Sequence, residues 1–356
     1  MSFLADVRIR NFRCIGDSEL GLDRNLNVFT GANGAGKTSI LEAIYFLGRG
    51  RSFRVPDNRI LVREGETTAD IGGRVNSQDA SSFLGVRIAA GGLDIHVGGK
   101  AGCGPADLAA QFGVQAIDAE ISGLGQGPPE FRRRLLDWGV FHVEHQFLTT
   151  WRHFRRALAQ RNAALRDQAT DAVLVAWEAE LAAAGEAVDV ARRAYLAALL
   201  PHFRNIGQPL VGAAVSLDYS SGWAEGRPLA EALESSRESD RLAGFTRVGP
   251  QRADLRFEID AMRSRWRASK GQHKLLGASL VLAQAHLAAE QDDRKVALVV
   301  DEPAADLDGE RVAAFMRAVE AAPAQVFLAC INARELPLAT AGKMFHVERG
   351  SAKALL

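Results

Sequence analysis

The sequence has few cysteines, no excess of charge of either sign and no long apolar run. The three cysteines, Cys14, Cys103 and Cys330, are far apart and odd in number, which excludes a disulfide framework or a cysteine-rich metal site and is typical of reduced thiols. Lys plus Arg and Asp plus Glu both number 43. A nucleic-acid partner would therefore have to use a local basic patch, because the chain has no net positive field.

No apolar segment approaches the ~18 residues that a membrane-spanning helix needs. The most apolar stretch, 275–289, is too short and contains Gln284 and His286. The first residues, MSFLADVRIRNFR, alternate between apolar and polar side chains, unlike a signal peptide. We therefore expect a soluble, cytoplasmic protein without a membrane partner.

Hydrophobic periodicity predicts two sheet regions separated by a helix-rich middle. Strands are expected within 3–30 and 68–99 and at 213–222 and 253–260, and helices at 38–47 and throughout 130–204, including one over 173–200 that ends at Pro201. The runs KVALVVDEP and AQVFLACI are continuously apolar, which is typical of parallel strands buried on both faces. The expected fold class is α/β, with a helical insertion in one core.

A phosphate-binding loop is predicted at GANGAGKT, Gly31–Thr38, which fits G-x-x-x-x-G-K-[ST] between a predicted strand and a predicted helix. Its glycines allow successive N–H groups to face phosphate oxygens, and the helix N-terminus adds positive potential. Lys37 would reach the β- and γ-phosphates of ATP, and Thr38 would offer its hydroxyl to Mg²⁺. The predicted ATP-binding residues are Gly31, Ala32, Asn33, Gly34, Ala35, Gly36, Lys37, Thr38 and Ser39.

Two acids follow the apolar strand in VALVVDEP. By itself such a pair is equally well explained as a solvated strand end. Beside a phosphate loop it is typical of the Walker B element, in which Asp301 would hold Mg²⁺ and Glu302 would orient or deprotonate the attacking water. Lys37, Asp301 and Glu302 are therefore the predicted catalytic residues.

These motifs, together with a Ser-x-Gly-Gln helix start at 269–272, resemble ATP-binding-cassette ATPases of the SMC-like type. Within that class the chain is similar to the RecF family of bacterial recombination mediators. The similarity includes VRIRNFR (7–13), RRRLLDWG (132–139), QRNAALR (160–166), VGPQRADL (248–255) and KMFHVERG (343–350). SMC-type chains separate the same two halves by coiled coils of several hundred residues, whereas 130–204 lacks sustained heptads.

The resemblance implies a P-loop NTPase fold with an inserted helical lobe: an N-terminal ATPase half at 1–125, a helix-rich lobe carrying the signature at 126–275, and a C-terminal ATPase half at 276–356. It also implies a composite site in an ATP-dependent homodimer, where Ser269, Lys270, Gly271 and Gln272 reach the partner's γ-phosphate and Asp306 is the D-loop residue. The implied partners are double-stranded and gapped DNA, RecR and RecO, and the implied role is to help load RecA at stalled forks.

The chain departs from the family pattern at several positions. Ala268 and Lys270 replace the Leu and the first Gly of the signature, and Asn332 stands where a switch histidine is expected. The glutamine that joins the lobes is not placed; Asp118, Glu120 and Gln126 are alternatives. Arg13 is a further candidate for a position near the nucleotide. These departures favour a slow ATP-timed switch, with weak DNA-stimulated hydrolysis, over a motor.

Arginines are concentrated in two predicted helices. Several share a face by their spacing, and phosphate contact needs only several arginines on one surface. A solvated helix face is the alternative for each residue taken singly. The predicted DNA-binding residues are Arg132, Arg133, Arg152, Arg155 and Arg156, with Arg134, Arg161 and Arg166 in the same helices.

Two other functions fit the nucleotide motifs. A transporter-type ATPase subunit would share the phosphate loop, but it does not explain the basic helices. A scaffold that binds ATP and DNA without hydrolysing ATP is the other alternative, and the intact Lys37, Asp301 and Glu302 argue against it. His142 and His145 lack cysteine or carboxylate partners at ligand spacing, so we interpret both as structural.

Overall fold

The computed structural model describes residues 2–77, 80–263, 268–292 and 296–355. The strands are β1 Phe3–Phe12, β2 Ile15–Gly21, β3 Leu26–Thr30, β4 Ala69–Asn76, β5 Ser81–Ala89, β6 Gly92–Val97, β7 Val114–Ile117, β8 Val215–Ser220, β9 Asp254–Ile259, β10 Met262–Arg263, β11 Val296–Asp301, β12 Ala324–Cys330, β13 Lys343–Glu348 and β14 Ser351–Ala354. The helices are α1 Lys37–Arg49, α2 Pro105–Gln111, α3 Pro129–Val143, α4 Phe147–Arg166, α5 Asp171–Val211, α6 Leu229–Ala243, α7 Lys270–Asp292 and α8 Gly309–Ala321. Short 3₁₀ helices occupy Asn58–Leu61, Ala119–Gly125, Pro250–Arg252 and Ala333–Glu335.

The chain folds into two compact units. The first unit comprises residues 1–122 and 269–356, and the second unit comprises residues 123–268. The expected boundary at 275/276 differs from this division, since α7 belongs to the first unit from its start. Gln284 of α7 accepts a hydrogen bond of 2.6 Å from buried Gln115 in β7. A Cβ on Gly277 would lie 2.7 Å from the side chain of Ile121, so the helix packs closely on this unit.

The first unit contains two sheets with α1 between them. One sheet is antiparallel in the order β2-β1-β4-β5-β6, and the other has the order β14-β13-β3-β12-β11-β7. The second sheet is parallel except for the β13–β14 hairpin. Helix α1 contacts strands of both sheets, and one hydrophobic core joins all three layers. The mixed and parallel strands predicted from periodicity are confirmed.

Helix α1 is slightly longer than the predicted 38–47, because Gly48 continues it. Helical spacing places Ile40, Leu41, Ile44 and Leu47 on one face, and all four are completely buried. A Cβ on Gly48 would lie 2.5 Å from the carbonyl oxygen of Phe112, so this glycine permits close packing within the helix. The helix ends at Gly50, whose φ of 61° is in the left-handed region and whose N–H donates to the carbonyl of Phe46.

The second unit contains α3 to α6 and a three-stranded antiparallel sheet, β10-β9-β8. The prediction that Pro201 ends the long helix is wrong, since α5 continues to Val211 and ends at Gly212 in the left-handed conformation. Proline removes one backbone hydrogen bond. Burial compensates: Phe203 is fully buried, with its ring centroid 6.0 Å from that of Phe257 in β9.

A candidate nucleotide site and its surroundings

The predicted site residues of the first unit lie at the carboxyl edge of the parallel sheet. Strand β12 lies between β3 and β11. Its Cys330 pairs with Thr30, the last residue of β3, and its Ala329 pairs with Asp301 of β11. The neighbouring strand β7 ends at Ile117, beside Val300. Because carboxyl ends of parallel strands meet at one edge, the phosphate loop and the acidic pair share the crevice in which α/β folds bind ligands.

The phosphate loop has the backbone that its glycines allow. Gly31, Gly34 and Gly36 have φ angles of 149°, 78° and 112°, in a region that other residues rarely adopt. A Cβ on Gly31 would lie 2.3 Å from the carbonyl oxygen of Val347, and one on Gly36 would lie 3.0 Å from the Cys14 sulfur. The tip, Ala32–Gly34, is exposed, so the loop can present its N–H groups to an anion.

Lys37 and Thr38 begin α1 and connect the loop to Asp301. The Lys37 ammonium donates to the carbonyl oxygens of Gly31 and Ala32 at 2.8 and 2.9 Å. The Thr38 hydroxyl lies 2.9 Å from Oδ2 and 3.2 Å from Oδ1 of Asp301. The structure therefore brings together the hydroxyl and the carboxylate that the sequence predicts for Mg²⁺.

The oxygen atoms of Thr38 and Asp301 fit a magnesium ion that takes its other ligands from phosphate and water. Burial raises the pKa of Asp301, the hydrogen bond from Thr38 opposes this rise, and the nearby Glu302 adds to it. A divalent cation would relieve the cost of a buried carboxylate. Within the described ranges, no cluster of three His, Cys, Asp or Glu residues could hold a metal by itself.

Glu302 and Asp306 lie in the turn between β11 and α8. Glu302 is exposed at the end of the strand, and its backbone N–H donates to the carbonyl of Ala329 at 3.1 Å. Both residues have φ in the left-handed region, 50° for Glu302 and 65° for Asp306. Such angles are unfavourable for residues with a Cβ and persist only where neighbouring contacts hold them. The turn places Glu302 beside Asp301, as a water-orienting role requires.

The signature residues form the N-terminus of α7. The Ser269 hydroxyl accepts from the Gln272 N–H at 3.2 Å, and the Gln272 side chain accepts from the Ser269 N–H at 2.9 Å. This reciprocal capping box fixes the helix start. Ser269 and Lys270 are exposed, so the positive end of the helix is accessible to an anion.

Lys270, the unusual residue of the signature, pairs with the predicted D-loop residue of the same chain. Its ammonium lies 3.1 Å from Oδ1 of Asp306. Gly271 makes this approach possible, because a Cβ there would lie 2.7 Å from the Asp306 carbonyl oxygen. The side chain of Lys270 is 73% exposed, so this ion pair contributes little stability.

A cavity of about 340 Å³ lies beside Asp301. Three residues are candidates for the position at which the family has a glutamine between the lobes. Asp118 and Glu120 line this cavity, whereas Gln126 belongs to the second unit. Burial raises the pKa of Asp118 to about 6, with a further contribution from the charge of Glu120. The complete lining is Arg13, Phe53, Arg54, Val55, Asp118, Ala119, Glu120 and Asp301.

Asn332, at the position expected for a switch histidine, serves as a helix cap. Its side-chain oxygen accepts from the N–H of Arg334 at 3.1 Å at the start of the 3₁₀ helix Ala333–Glu335. The preceding carbonyl, that of Ile331, accepts from the N–H of Gly31 at 3.3 Å. This segment therefore supports the start of the phosphate loop through its backbone.

The structure separates the predicted DNA-binding arginines into two groups. Arg152, Arg155 and Arg156 are exposed on α4, and Arg155 lies over the ring of Trp151 at 5.3 Å. Arg132 does not fit the prediction, because it is buried and donates to Asp254 at 2.8 Å and to the carbonyls of Leu124 and Gly127.

Two further arginines are used internally. Arg133 is half-buried and donates to the carbonyl of Ala253 at 2.7 Å, and burial lowers its pKa. Arg161 is completely buried in an ion network, 2.8 Å from Asp240 and 2.9 Å from Glu178.

Arg134 is exposed on α3 but is paired with Glu130 at 2.8 Å. Arg152, Arg155 and Arg156 are exposed on α4 and can reach a phosphate backbone.

Sequence analysis missed a buried carboxylate in α1. Glu42 is 0% exposed and makes a bidentate ion pair with Arg13, with both contacts at 3.0 Å. It also accepts from the Ser52 hydroxyl and lies 3.8 Å from Arg54. Arg13 and Arg54 both line the cavity beside Asp301, so Glu42 orients two cations there. Glu42 is the one acid in α1 and the one charged residue in its apolar run ILEAIYFL, which is the signal that could have identified it.

The described part of the chain contains no helix that is both long and apolar enough to cross a membrane. His142 packs against Trp138, with ring centroids 4.1 Å apart, which agrees with a structural interpretation.

Comparison with known families defines the class to which this fold and site belong. The model of the RecF/RecN/SMC N terminal domain matches residues 3–353. A solved structure of the recombination mediator protein RecF with ATP, in the RecFOR pathway, has a TM-score of 0.88 and 23% identity, covering 100% of this chain and 98% of that one. The fold is that of an ABC-like P-loop ATPase of the SMC type.

Two curated relatives narrow the assignment. The DNA replication and repair protein RecF of Stutzerimonas stutzeri is 38% identical over 367 residues, covering 100% of this chain and 97% of the relative. That of Chromohalobacter salexigens is 40% identical over 333 residues, covering 91% and 92%. The chain belongs to the RecF family.

Proposed function

We propose that this chain is a cytoplasmic, ATP-dependent DNA-binding protein of recombinational repair. In the presence of ATP and Mg²⁺ it forms a homodimer, binds duplex DNA and gap junctions, and helps to load RecA at stalled forks. Relatives over the whole chain are named DNA replication and repair proteins, which supports this function over that of a transporter subunit. RecR and RecO are the proposed protein partners, in accordance with the RecFOR pathway named for the solved RecF structures.

The observation that carries the proposal is the contact between Thr38 and Asp301. The hydroxyl and the carboxylate are 263 residues apart in sequence and 2.9 Å apart in space. One lies at the N-terminus of a helix that follows a glycine-rich loop, and the other ends a buried parallel strand. This arrangement suits a Mg²⁺-bound nucleoside triphosphate, because it provides N–H groups and Lys37 for the phosphates and oxygen ligands for the ion.

The proposed cycle assigns a distinct role to each group. Lys37 and the loop N–H groups bind the phosphates, and bound Mg²⁺ would offset their charge. Glu302 orients the attacking water and accepts its proton. The exposed start of α7 at Ser269 binds the γ-phosphate held by a second copy, so that ATP closes the dimer and weak, DNA-stimulated hydrolysis opens it.

Replacing Ser269 with arginine is expected to abolish ATP-dependent dimerisation and to leave ATP binding within about threefold of wild type. The added side chain would fill the space occupied by the γ-phosphate of the ATP that the partner binds. The ATP bound to the variant chain itself is held by Lys37 and the phosphate loop, which are unchanged. Nucleotide titration and analytical ultracentrifugation with ATP and Mg²⁺ measure the two effects. Ser81→Arg, an exposed position on β5, is the control. Loss of ATP binding in Ser269→Arg would contradict the role in trans.

The exposed arginines of α4 give a quantitative prediction for DNA binding. Each phosphate contact contributes about 0.9 to the slope of log affinity against log salt. Removing Arg152, Arg155 and Arg156 together should therefore make that slope shallower by about 2.7 and weaken binding to duplex and gapped DNA alike. Fluorescence anisotropy over a range of salt concentrations, with and without ATP, provides the measurement.

A matched control removes the same charge from the other unit. Arg59, Arg74 and Arg87 are exposed and paired with Asp57, Asp6 and Asp70. The triple alanine variant at these positions should retain the wild-type salt slope. Equal losses in both triple variants would show that net charge, rather than the face of α4, governs binding.

A further inference from the structure

Lys274 is a buried cation at the start of the signature helix. It lies one turn after Lys270 and is 2% exposed. Its ammonium contacts three backbone carbonyl oxygens, those of Glu302 at 3.0 Å, Pro303 at 3.1 Å and Ala305 at 2.7 Å. A lysine ammonium has three protons to donate, so each proton has an acceptor in this one turn.

These carbonyls belong to the turn that carries Glu302. The turn has a strained backbone, because Glu302 and Asp306 both have positive φ angles. The N–H of Glu302 donates to the carbonyl of Ala329 in β12. The carbonyl of Glu302 accepts from the N–H of Ala305 at 3.1 Å, in addition to the contact from Lys274. With the contact from Lys274, both the N–H and the carbonyl of Glu302 are hydrogen-bonded. These bonds fix the backbone from which the Glu302 side chain extends.

The electrostatic surroundings of Lys274 favour this arrangement. Burial lowers its pKa, and the negative charges of Asp306, Glu302 and Asp301 oppose that change. The following positions, Leu275 and Leu276, are apolar and buried. A buried cation at this position is costly unless all its protons are satisfied, and here its acceptors are the backbone of the proposed catalytic turn.

The same turn contacts the signature residues directly. Lys270 pairs with Asp306, and Gly271 allows the first turn of α7 to approach the Asp306 carbonyl. Thus the exposed end of α7, which is proposed to receive the partner's γ-phosphate, and the turn that holds Glu302 form one hydrogen-bonded assembly. A displacement of α7 would be transmitted to Glu302 through Lys274.

We propose that Lys274 is a positioning residue for ATP hydrolysis, which holds Glu302 in place and couples it to the start of α7. This inference rests on the proposed function, because it takes Glu302 as the residue that orients water. Lys274 contacts no reacting atom, so its contribution should appear in the rate of hydrolysis and not in the affinity for ATP.

The test compares Lys274→Met, which has a similar length but no donor, with Lys274→Gln, which keeps an amide donor. A displacement of about 1 Å can slow an enzymatic reaction by about 100-fold. We expect kcat for ATP to fall by about 10- to 100-fold in Lys274→Met, less in Lys274→Gln, with KM within about threefold of wild type in both. Ser279→Ala is the matched control, because Ser279 is buried in α7 and donates to the Leu275 carbonyl; its kcat should not change.

A double variant shows whether Lys274 acts through Glu302. In single-turnover assays, Glu302→Gln and Glu302→Gln/Lys274→Met should hydrolyse ATP at similar residual rates. The inference is overturned if Lys274→Met slows both backgrounds by the same factor, if a folded Lys274 variant retains kcat within twofold of wild type, or if neither variant folds at the assay temperature. A wild-type chain that does not hydrolyse ATP, or a Glu302→Gln variant as fast as wild type, would instead contradict the proposed function.

Discussion

Glu302→Gln is expected to slow ATP hydrolysis by about 10²- to 10⁴-fold, the usual contribution of a general base. The amide retains the size of the side chain, but it cannot accept the proton of the attacking water. Because Lys37, Thr38 and Asp301 are unchanged, the variant should bind ATP and accumulate the closed dimer. Phosphate release measures turnover, and analytical ultracentrifugation with ATP and Mg²⁺ measures assembly.

Glu310→Gln provides a control for the loss of one negative charge. Glu310 is exposed in the first turn of α8, eight residues after Glu302, and its replacement should leave turnover and assembly unchanged. If Glu302→Gln remains monomeric with ATP and Mg²⁺, the composite site between two chains is refuted. If its turnover equals that of wild type, another group activates the water.

The second large effect is expected for Arg161→Met, which should destabilise the second unit by about 3–5 kcal/mol, the usual result of removing one partner from a buried ion pair. The guanidinium of Arg161 joins α4 to α5 and α6 by its contacts with Glu178 and Asp240, and it also donates to Thr246 at 2.8 Å. Asp240 is 0% exposed, so its carboxylate would remain buried with one partner fewer. Urea unfolding and hydrogen exchange of the α4 amides measure the loss.

Arg156→Met is the control for this experiment, since Arg156 lies on the same helix and is exposed. A surface substitution of this kind should change stability by no more than about 0.5 kcal/mol. Burial disfavours the ionised Glu178, but hydrogen bonds from Arg237 and Arg161 outweigh this effect and lower its pKa. The stability that ionised Glu178 contributes is therefore fully present above pH 4.5, its ordinary pKa, and is lost as the pH falls through its lowered pKa in the folded protein. Equal unfolding midpoints for Arg156→Met and Arg161→Met would show that the network contributes no stability.

The features that could be predicted from the sequence are those determined by local pattern. The phosphate loop follows from fixed spacing, and β11 and β12 follow from continuous apolar runs. Residues whose partners are distant could not be assigned in this way. Arg132 is bonded to Asp254, 122 positions away, and Arg161 to Asp240, 79 positions away; sequence spacing alone places both on a basic face.

The same distinction applies to Lys274 and Pro201. Lys274 is the last residue of the polar start of α7, so the sequence gives no sign of its burial, and the carbonyls that it binds belong to a turn 28 to 31 residues later. Pro201 is a local signal for a helix end, and it is overridden by the burial of Phe203 against β9. In each case the outcome depends on tertiary packing, which contributes more free energy than local propensity.

The position of β3 within its sheet has a consequence for folding kinetics. Both neighbours of this strand come from much later in the chain: Leu26 pairs with Val326 and Asn27 with Lys343, separations of 300 and 316 residues. Contacts between such distant segments form slowly, because a large loop must close before they contribute stability. We therefore expect the strand that presents the phosphate loop to acquire its flanking partners late in folding, so that nucleotide binding reports the completed fold.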